Sequence, residues 1–279
     1  AARGEAKTIA QSENEPEAWM RWYDYGIGLF RQGERGGGKG DLRQSDLAFT
    51  QVERLGRAEG SIGRARTALK EGRLDDASQY LRTAAASTPP AYPWSIRWFS
   101  ALVNRQNGAL EDAAADLEAL IASEFPEAVK RGFDFSKDDR VLVELGNVLL
   151  EMARAADKNP DQASASNGDL NSSSMRNRAK DLAKRALDMD PESVAAWYLL
   201  AQSQSELGDE PAAAAALAQH AKFKPDENAR DRAVNLARIR DAAANHASEA
   251  IVIFDLNRPE RFEGTVKQVP SSPTASITK

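Results

Sequence analysis

Cysteine is absent from this sequence of 279 residues, and histidine occurs only twice. Without cysteine the chain forms no disulfide, and it offers no thiol nucleophile, no thiolate ligand for a metal and no thioether attachment for haem. An excess of positive charge is also absent, because 42 Asp and Glu outnumber 37 Lys and Arg. The chain therefore lacks the general basic field that attracts a phosphate backbone, and we expect no nucleic-acid partner.

Long apolar runs are missing as well. Short aliphatic stretches such as Ile251 to Phe254 fall far below the roughly 20 residues that a membrane span needs, so we expect no such span. The sequence starts at Ala1 without an initiator Met, which favours a processed or cut product. What the chain does contain is 42% hydrophobic residues, enough for a core of one large or two small domains.

A repeated pattern of glycine, small and apolar residues runs through most of the chain. In its clearest copy, Gly72 is followed by Ala77 and Leu81, and similar spacings recur after Gly108 and Gly208. Glycine at such a position favours a left-handed helix cap, and the small residue allows two helices to pack closely. A second apolar stripe at helical spacing precedes each glycine, so every unit is predicted to be a helix hairpin.

This skeleton resembles the tetratricopeptide repeat, whose consensus of about 34 residues reads Trp-x2-Leu-Gly-x2-Tyr, then Ala-x3-Phe, then Pro. Trp22, Tyr25 and Gly26 show the opening part of it. The resemblance covers residues 18–225 and implies an all-α, right-handed solenoid of about five helix hairpins. The alternative that the pattern leaves open is a generic all-α domain.

The resemblance also sets the expected domain layout. The five units are expected at residues 22–52, 61–89, 97–126, 142–191 and 197–225. They follow an N-terminal extension over 1–17, and loop inserts are expected near 34–39 and 157–174. A capping helix over 226–246 would cover the last repeat, as a solenoid requires. Residues 247–279 are predicted to form an extended tail.

Motifs for catalysis or metal binding are weak. The glycine-rich segment 36–40 lacks the spacing of a phosphate-binding loop, and acidic pairs such as Asp75-Asp76 stand where they offset a helix dipole. His220 and His246 have no partners at metal-ligand spacing. We interpret His220 as structural, the alternative being an axial ligand for a haem held by another chain. We therefore predict no catalytic residue, no metal site, no cofactor in this chain and no enzymatic activity.

In the tetratricopeptide family the first helix of each pair lines a concave surface. Carrying those positions onto this chain gives a predicted partner-binding groove of ten residues. These are Tyr23, Ile27, Phe30, Arg66, Trp98, Leu102, Arg105, Asn147, Tyr198 and Gln202. Aromatic residues and Arg are the types that dominate binding hot spots. The groove predicts a scaffold for a peptide or partner subunit, with ordinary helix packing as the alternative interpretation for Trp98 and Tyr198.

A narrower resemblance concerns residues 22–29, 139–146 and 223–227. They are similar to the C-terminal repeat region of bacterial extracytoplasmic multihaem cytochrome c proteins, although the Pro-rich, His-containing tail of that group is replaced here. The resemblance implies a periplasmic or extracellular location and a module that docks or shields haem-bearing domains in electron transfer. Haem would then sit on a partner domain or subunit. Assembly as a homo-oligomer or filament subunit is a further expectation.

Overall fold

The computed structural model describes residues 18–34, 39–158 and 171–224, together with positions 236 and 240. In these residues the regular secondary structure consists of eleven α-helices and one short 3₁₀ helix, without strands. The chain divides into two compact units, residues 1–225 and 226–279, and all the helices below belong to the first. The predicted N-terminal extension, capping helix and tail lie outside the described residues, apart from positions 236 and 240.

Ten of these helices form five successive pairs. The pairs are α1 (Ala18–Gln32) with α2 (Lys39–Arg54), α3 (Ala58–Lys70) with α4 (Leu74–Ala86), α5 (Pro93–Asn107) with α6 (Leu110–Ala122), α8 (Asp139–Lys158) with α9 (Ser172–Met189), and α10 (Val194–Glu206) with α11 (Glu210–Phe223). The short helix α7 (Pro126–Lys130) and the 3₁₀ helix Phe135–Lys137 lie between the third and fourth pairs. The second helix of each pair packs against the first helix of the next. This stacking confirms the predicted all-α solenoid of helix hairpins.

Glycines end several of the helices, as the repeat pattern predicts. Gly72, Gly108 and Gly208 have φ angles of 75°, 79° and 82°, in the left-handed region. Gly56 at the end of α2 has a φ of 74° and performs the same role. Side chains other than glycine rarely adopt this conformation, so these positions place the turns that separate successive helices.

The core follows the small and apolar positions of the repeat. Ala77, Ala113 and Ala213 are almost fully buried, and their small size allows the paired helices to approach closely. In the first two pairs the central side chain is Phe49 of α2, which is 0% exposed. A Cβ atom at Gly26 would lie 2.8 Å from its ring. The ring therefore occupies space that glycine leaves open.

The segment between α8 and α9 differs from the predicted insert at its edges. Residues 157–174 were expected to be a loop, but α8 continues to Lys158 and α9 begins at Ser172. The side chain of Asn171 accepts a hydrogen bond of 2.7 Å from the backbone N–H of Ser174. The Asn and Ser residues of this segment suggest a loop. At the end of the segment, however, they cap α9.

Candidate functional site

Aromatic side chains gather where α5 meets the segment between α6 and α8. Tyr92 and Trp94 are stacked, with ring centroids 4.4 Å apart. Trp94 also meets Phe125 edge-on at 5.7 Å and Phe135 at 6.2 Å. Trp94 and Trp98 are four residues apart on α5, which places them on the same helix face. Phe135 belongs to the 3₁₀ helix, so this short element brings its ring to the side of α5.

A cleft with a volume of about 160 Å³ opens beside this cluster, and we call it the aromatic cleft. It is lined by Trp94, Ser95, Trp98, Phe99, Leu120, Phe135, Asp138, Arg140 and Val141. An apolar cavity of about 150 Å³ is large enough to hold benzene. The aromatic cleft therefore has room for one side chain of similar size.

Asp138 provides the negative charge of the aromatic cleft and is positioned by the start of α8. Its Oδ1 accepts a hydrogen bond of 3.0 Å from the backbone N–H of Arg140. The guanidinium of Arg140 donates to both carboxylate oxygens, from Nε at 3.0 Å and from Nη2 at 2.7 Å. Burial opposes ionisation of Asp138, but these hydrogen bonds and the charge of Arg140 outweigh it and lower the pKa of Asp138. The carboxylate is therefore charged at neutral pH.

The two partners of this ion pair differ strongly in exposure. The side chain of Asp138 is 17% exposed, whereas that of Arg140 is 77% exposed. The carboxylate is thus held by the protein, while the guanidinium lies at the rim in water. Water screens the charge of the exposed guanidinium, while its two hydrogen bonds keep the geometry of the pair fixed.

Of the residues predicted to form the groove, Trp98 lies in the aromatic cleft. Leu102 and Arg105 follow it along α5, both partly buried. Arg105 donates to Glu144 at 2.6 Å and to Glu151 at 2.6 Å, and both glutamates belong to α8. The charge of Arg105 is thus used within the chain, where it joins α5 to α8.

The predicted groove residues of the first two pairs pack against other residues of the chain. Ile27 is 8% exposed and Phe30 is 2% exposed, so both side chains belong to the core in this structure, and their part in a groove stays a prediction. The guanidinium of Arg66 covers the ring of Phe30 at 4.2 Å. The ring of Tyr23 lies 5.7 Å from that of Phe49, and burial raises the pKa of Tyr23. Aromatic residues at groove positions are here part of the helix interface.

The remaining predicted groove residues lie on α8 and α10. Asn147 and Gln202 are partly buried, whereas Tyr198 is 45% exposed. The ring of Tyr198 lies 5.2 Å from that of His220, whose Nδ1 is 3.0 Å from the carbonyl oxygen of Val194. His220 therefore links α11 to α10, in agreement with its structural interpretation. Neither Tyr23 nor Tyr198 is among the residues that line the aromatic cleft.

Most of the residues that line the aromatic cleft are not among the predicted groove residues. Trp94 and Phe99 lie beside predicted positions on α5. The family positions used to predict the groove fall only on Trp98, Leu102 and Arg105 of that helix. Phe135, Asp138 and Arg140 lie in or next to a segment without a repeat consensus. The sequence does contain one indication of the cleft. Three phenylalanines, Phe125, Phe133 and Phe135, lie close together in the segment that interrupts the repeat.

The described residues provide no group of three or more His, Asp or Glu side chains that could hold a metal ion. The same part of the chain has no helix that is both long and apolar enough to cross a membrane. His246 lies outside the described residues.

Two family models, both described as "Tetratricopeptide repeat", match residues 40–129 and residues 173–239. The chain contains tetratricopeptide repeats. Such repeats stack into solenoids that present extended surfaces to protein partners. The chain is therefore a repeat scaffold of the protein-binding type. No curated protein matches the chain in sequence.

Several solved structures are similar to these tetratricopeptide repeats. A crystal structure of MamA is 13% identical, with a TM-score of 0.47, and the match covers 74% of this chain and 92% of that one. A structure of MamA MSR-1 is 16% identical, with a TM-score of 0.46 and coverage of 76% and 99%. A monomeric IFIT1 mutant with m7Gppp-AAAA is 17% identical, with a TM-score of 0.58.

The IFIT1 match covers 88% of this chain and 51% of the IFIT1 chain, so the repeats span about half of that protein. At such identity the likeness concerns the fold alone. The narrower resemblance to multihaem cytochrome c proteins gains no support from these comparisons and stays a prediction from the sequence.

Proposed function

We propose that this chain is a non-catalytic scaffold that binds an extended segment of a protein partner and holds one partner side chain in the aromatic cleft. The observation that carries the proposal is the cleft itself, which has aromatic walls and a volume of about 160 Å³. Side chains that dominate binding energy insert into such pockets, where aromatic neighbours exclude water. The cleft thus supplies an anchor point on a repeat scaffold.

The walls of the aromatic cleft are supported from behind, which favours binding. Trp94 and Trp98 both pack against the core cluster of the third to fifth helix pairs. Arg105 ties α5 to α8 through Glu144 and Glu151, and both helices contribute residues to the lining of the cleft. Side chains that are already held in place lose less conformational entropy when a partner binds.

Filling the cleft tests this proposal. Ser95 lines the cleft with a small side chain, so Ser95→Phe places a ring in the empty volume without removing a packed group. The partner is first isolated by pull-down from the native source. We expect the affinity of the Ser95→Phe variant for this partner to be at least about tenfold lower than that of the parent chain, as loss of a hot spot causes. Isothermal titration calorimetry with purified partner measures the change, and circular dichroism checks that the fold is intact.

The matched control is Gln106→Phe, which adds the same ring to an exposed position of the same helix. This variant should bind the partner as the parent does. Trp98→Ala, which removes a wall of the cleft, should weaken binding by about 1–3 kcal/mol. If Ser95→Phe binds as tightly as Gln106→Phe, the cleft is not the anchor point and the proposal fails.

The narrower proposal for the partner is a multihaem cytochrome c domain in the periplasm or outside the cell. It is supported by the sequence similarity in residues 22–29, 139–146 and 223–227. In that case the protein isolated from its native source carries a Soret band and a mass well above 30.4 kDa. A colourless species at 30.4 kDa contradicts it, and a colourless multiple of that mass indicates a homo-oligomer instead.

A further inference from the structure

We infer that the partner side chain held in the aromatic cleft is a cation of the ammonium type, with trimethyllysine as its strongest form. This inference rests on the proposed function, because it specifies which kind of side chain enters the same cleft. Three features of the cleft lead to it: the aromatic residues of its walls, the half-buried carboxylate of Asp138 and the exposed guanidinium of Arg140.

The walls of the cleft present the rings of Trp94, Trp98, Phe99 and Phe135. The face of an aromatic ring carries partial negative charge, and among aromatic side chains Trp attracts cations most strongly. Several rings around one space form the arrangement that recognises quaternary ammonium groups. The volume of about 160 Å³ suits a compact head group rather than a longer chain.

The carboxylate of Asp138 adds a negatively charged group to the lining of the cleft, and Arg140 is its partner within the chain. It is 17% exposed and is oriented by the backbone N–H of Arg140, so it stays in place when side chains at the rim move. A neutral aromatic or aliphatic side chain gains nothing from this charge. A cation interacts with both the rings and the carboxylate, so the cleft distinguishes a cation from a neutral group of the same shape.

Arg140 marks the place that the incoming cation takes. Its guanidinium already pairs with Asp138 at 2.7 Å, but the arginine side chain is 77% exposed. The pair is bidentate, but its guanidinium is already in water, so an incoming cation can take its place on Asp138 and gains the contact with the rings as well. The formal net charge of −5 further favours approach of a basic segment.

The experiment titrates the full chain with N-acetyl-trimethyllysine methylamide and with its neutral isostere, in which a tert-butyl group replaces the trimethylammonium. Binding is followed by isothermal titration calorimetry and by the tryptophan fluorescence of the chain, to which Trp94 and Trp98 contribute. We expect the cationic probe to bind at least about tenfold more tightly than the isostere, since the two differ only in charge. Equal affinities, or no binding of either probe, overturn the inference.

Two variants of the charged pair sharpen the test. Asp138→Asn keeps the helix cap, because Asn caps as well as Asp does, but it removes the charge. The cationic probe should then bind at least about tenfold more weakly, while the affinity of the isostere stays the same. Arg140→Ala should tighten binding of the cation up to about fivefold, as expected from loss of an exposed ion pair. Weaker binding of the cationic probe by Arg140→Ala shows that Arg140 supports the cleft and does not yield its place to the cation, and it overturns the inference.

The matched control is Asp209→Asn, since Asp209 caps α11 through a hydrogen bond of 3.2 Å from the backbone N–H of Ala212. This variant should bind both probes as the parent does.

The probe and partner experiments together distinguish the inferred charge of the ligand from the proposed scaffold function. If the isostere binds as well as the cation while Ser95→Phe still weakens partner binding, the inferred charge is wrong and the scaffold function stands. If Ser95→Phe leaves partner binding unchanged, the proposed function itself fails.

Discussion

Replacement of Phe49 by Ala is expected to lower the free energy of unfolding by about 3–5 kcal/mol, the range for a large aromatic side chain removed from a core. The ring of Phe49 is 0% exposed and lies 5.7 Å from that of Tyr23. Gly26 and Gly63 bring their backbones against it, so no neighbouring side chain can fill the space that remains. Denaturation followed by circular dichroism measures the loss.

The control for this prediction is Leu47→Ala on the same helix. Leu47 is 60% exposed, so its loss should change the free energy of unfolding by no more than about 0.5 kcal/mol. Because each repeat of a solenoid contacts only its neighbours, hydrogen exchange should show faster opening in α1–α3 after Phe49→Ala and little change in α10 and α11. Equal effects of the two substitutions would contradict the central position of Phe49.

Replacement of Gly60 by Ala is expected to destabilise the protein by about 3 kcal/mol, at the upper end of the usual cost of overpacking. A Cβ atom at Gly60 would overlap the backbone nitrogen of Glu53 and lie 2.6 Å from the carbonyl oxygen of Phe49. Both atoms belong to the backbone of α2, so they cannot rotate away as a side chain does. The added methyl group must therefore push α3 away from α2.

Gly28 of α1 supplies the opposite case. A Cβ atom there meets nothing within 4 Å, so Gly28→Ala should raise the free energy of unfolding by about 0.5–1 kcal/mol through the better helix propensity of Ala. Thermal midpoints of the two variants should thus move in opposite directions. A stabilising effect of Gly60→Ala would show that α2 and α3 are not held at this distance in solution.

Much of the fold could be predicted from the sequence because its signals are local. Apolar residues at helical spacing define each helix, and Gly72, Gly108 and Gly208 end helices because their left-handed conformation suits glycine. The order of the repeats follows from the same spacing. The bounds of the insert between α8 and α9 were less predictable, since Asn and Ser are typical both of loops and of helix caps.

The binding surface was harder to predict, because helical spacing gives the face of a residue but not what covers that face. Phe30 stands at a groove position of α1, yet Arg66 of another helix pair covers its ring. Arg105 stands at a groove position of α5, yet Glu144 and Glu151 of α8 engage its charge. Such coverage depends on how closely two helices approach, which no single segment of the sequence encodes.

The sequence by itself determined that this protein is a stack of helix pairs with glycine caps and an alanine-rich core, because these features depend on residues within one turn or one hairpin. The tertiary structure alone decided where the aromatic cleft lies. Trp98 of α5 and Asp138 at the start of α8 come from different helix pairs. They line one cleft because the 3₁₀ helix between them packs against α6 and α8 and brings the ring of Phe135 to that of Trp94.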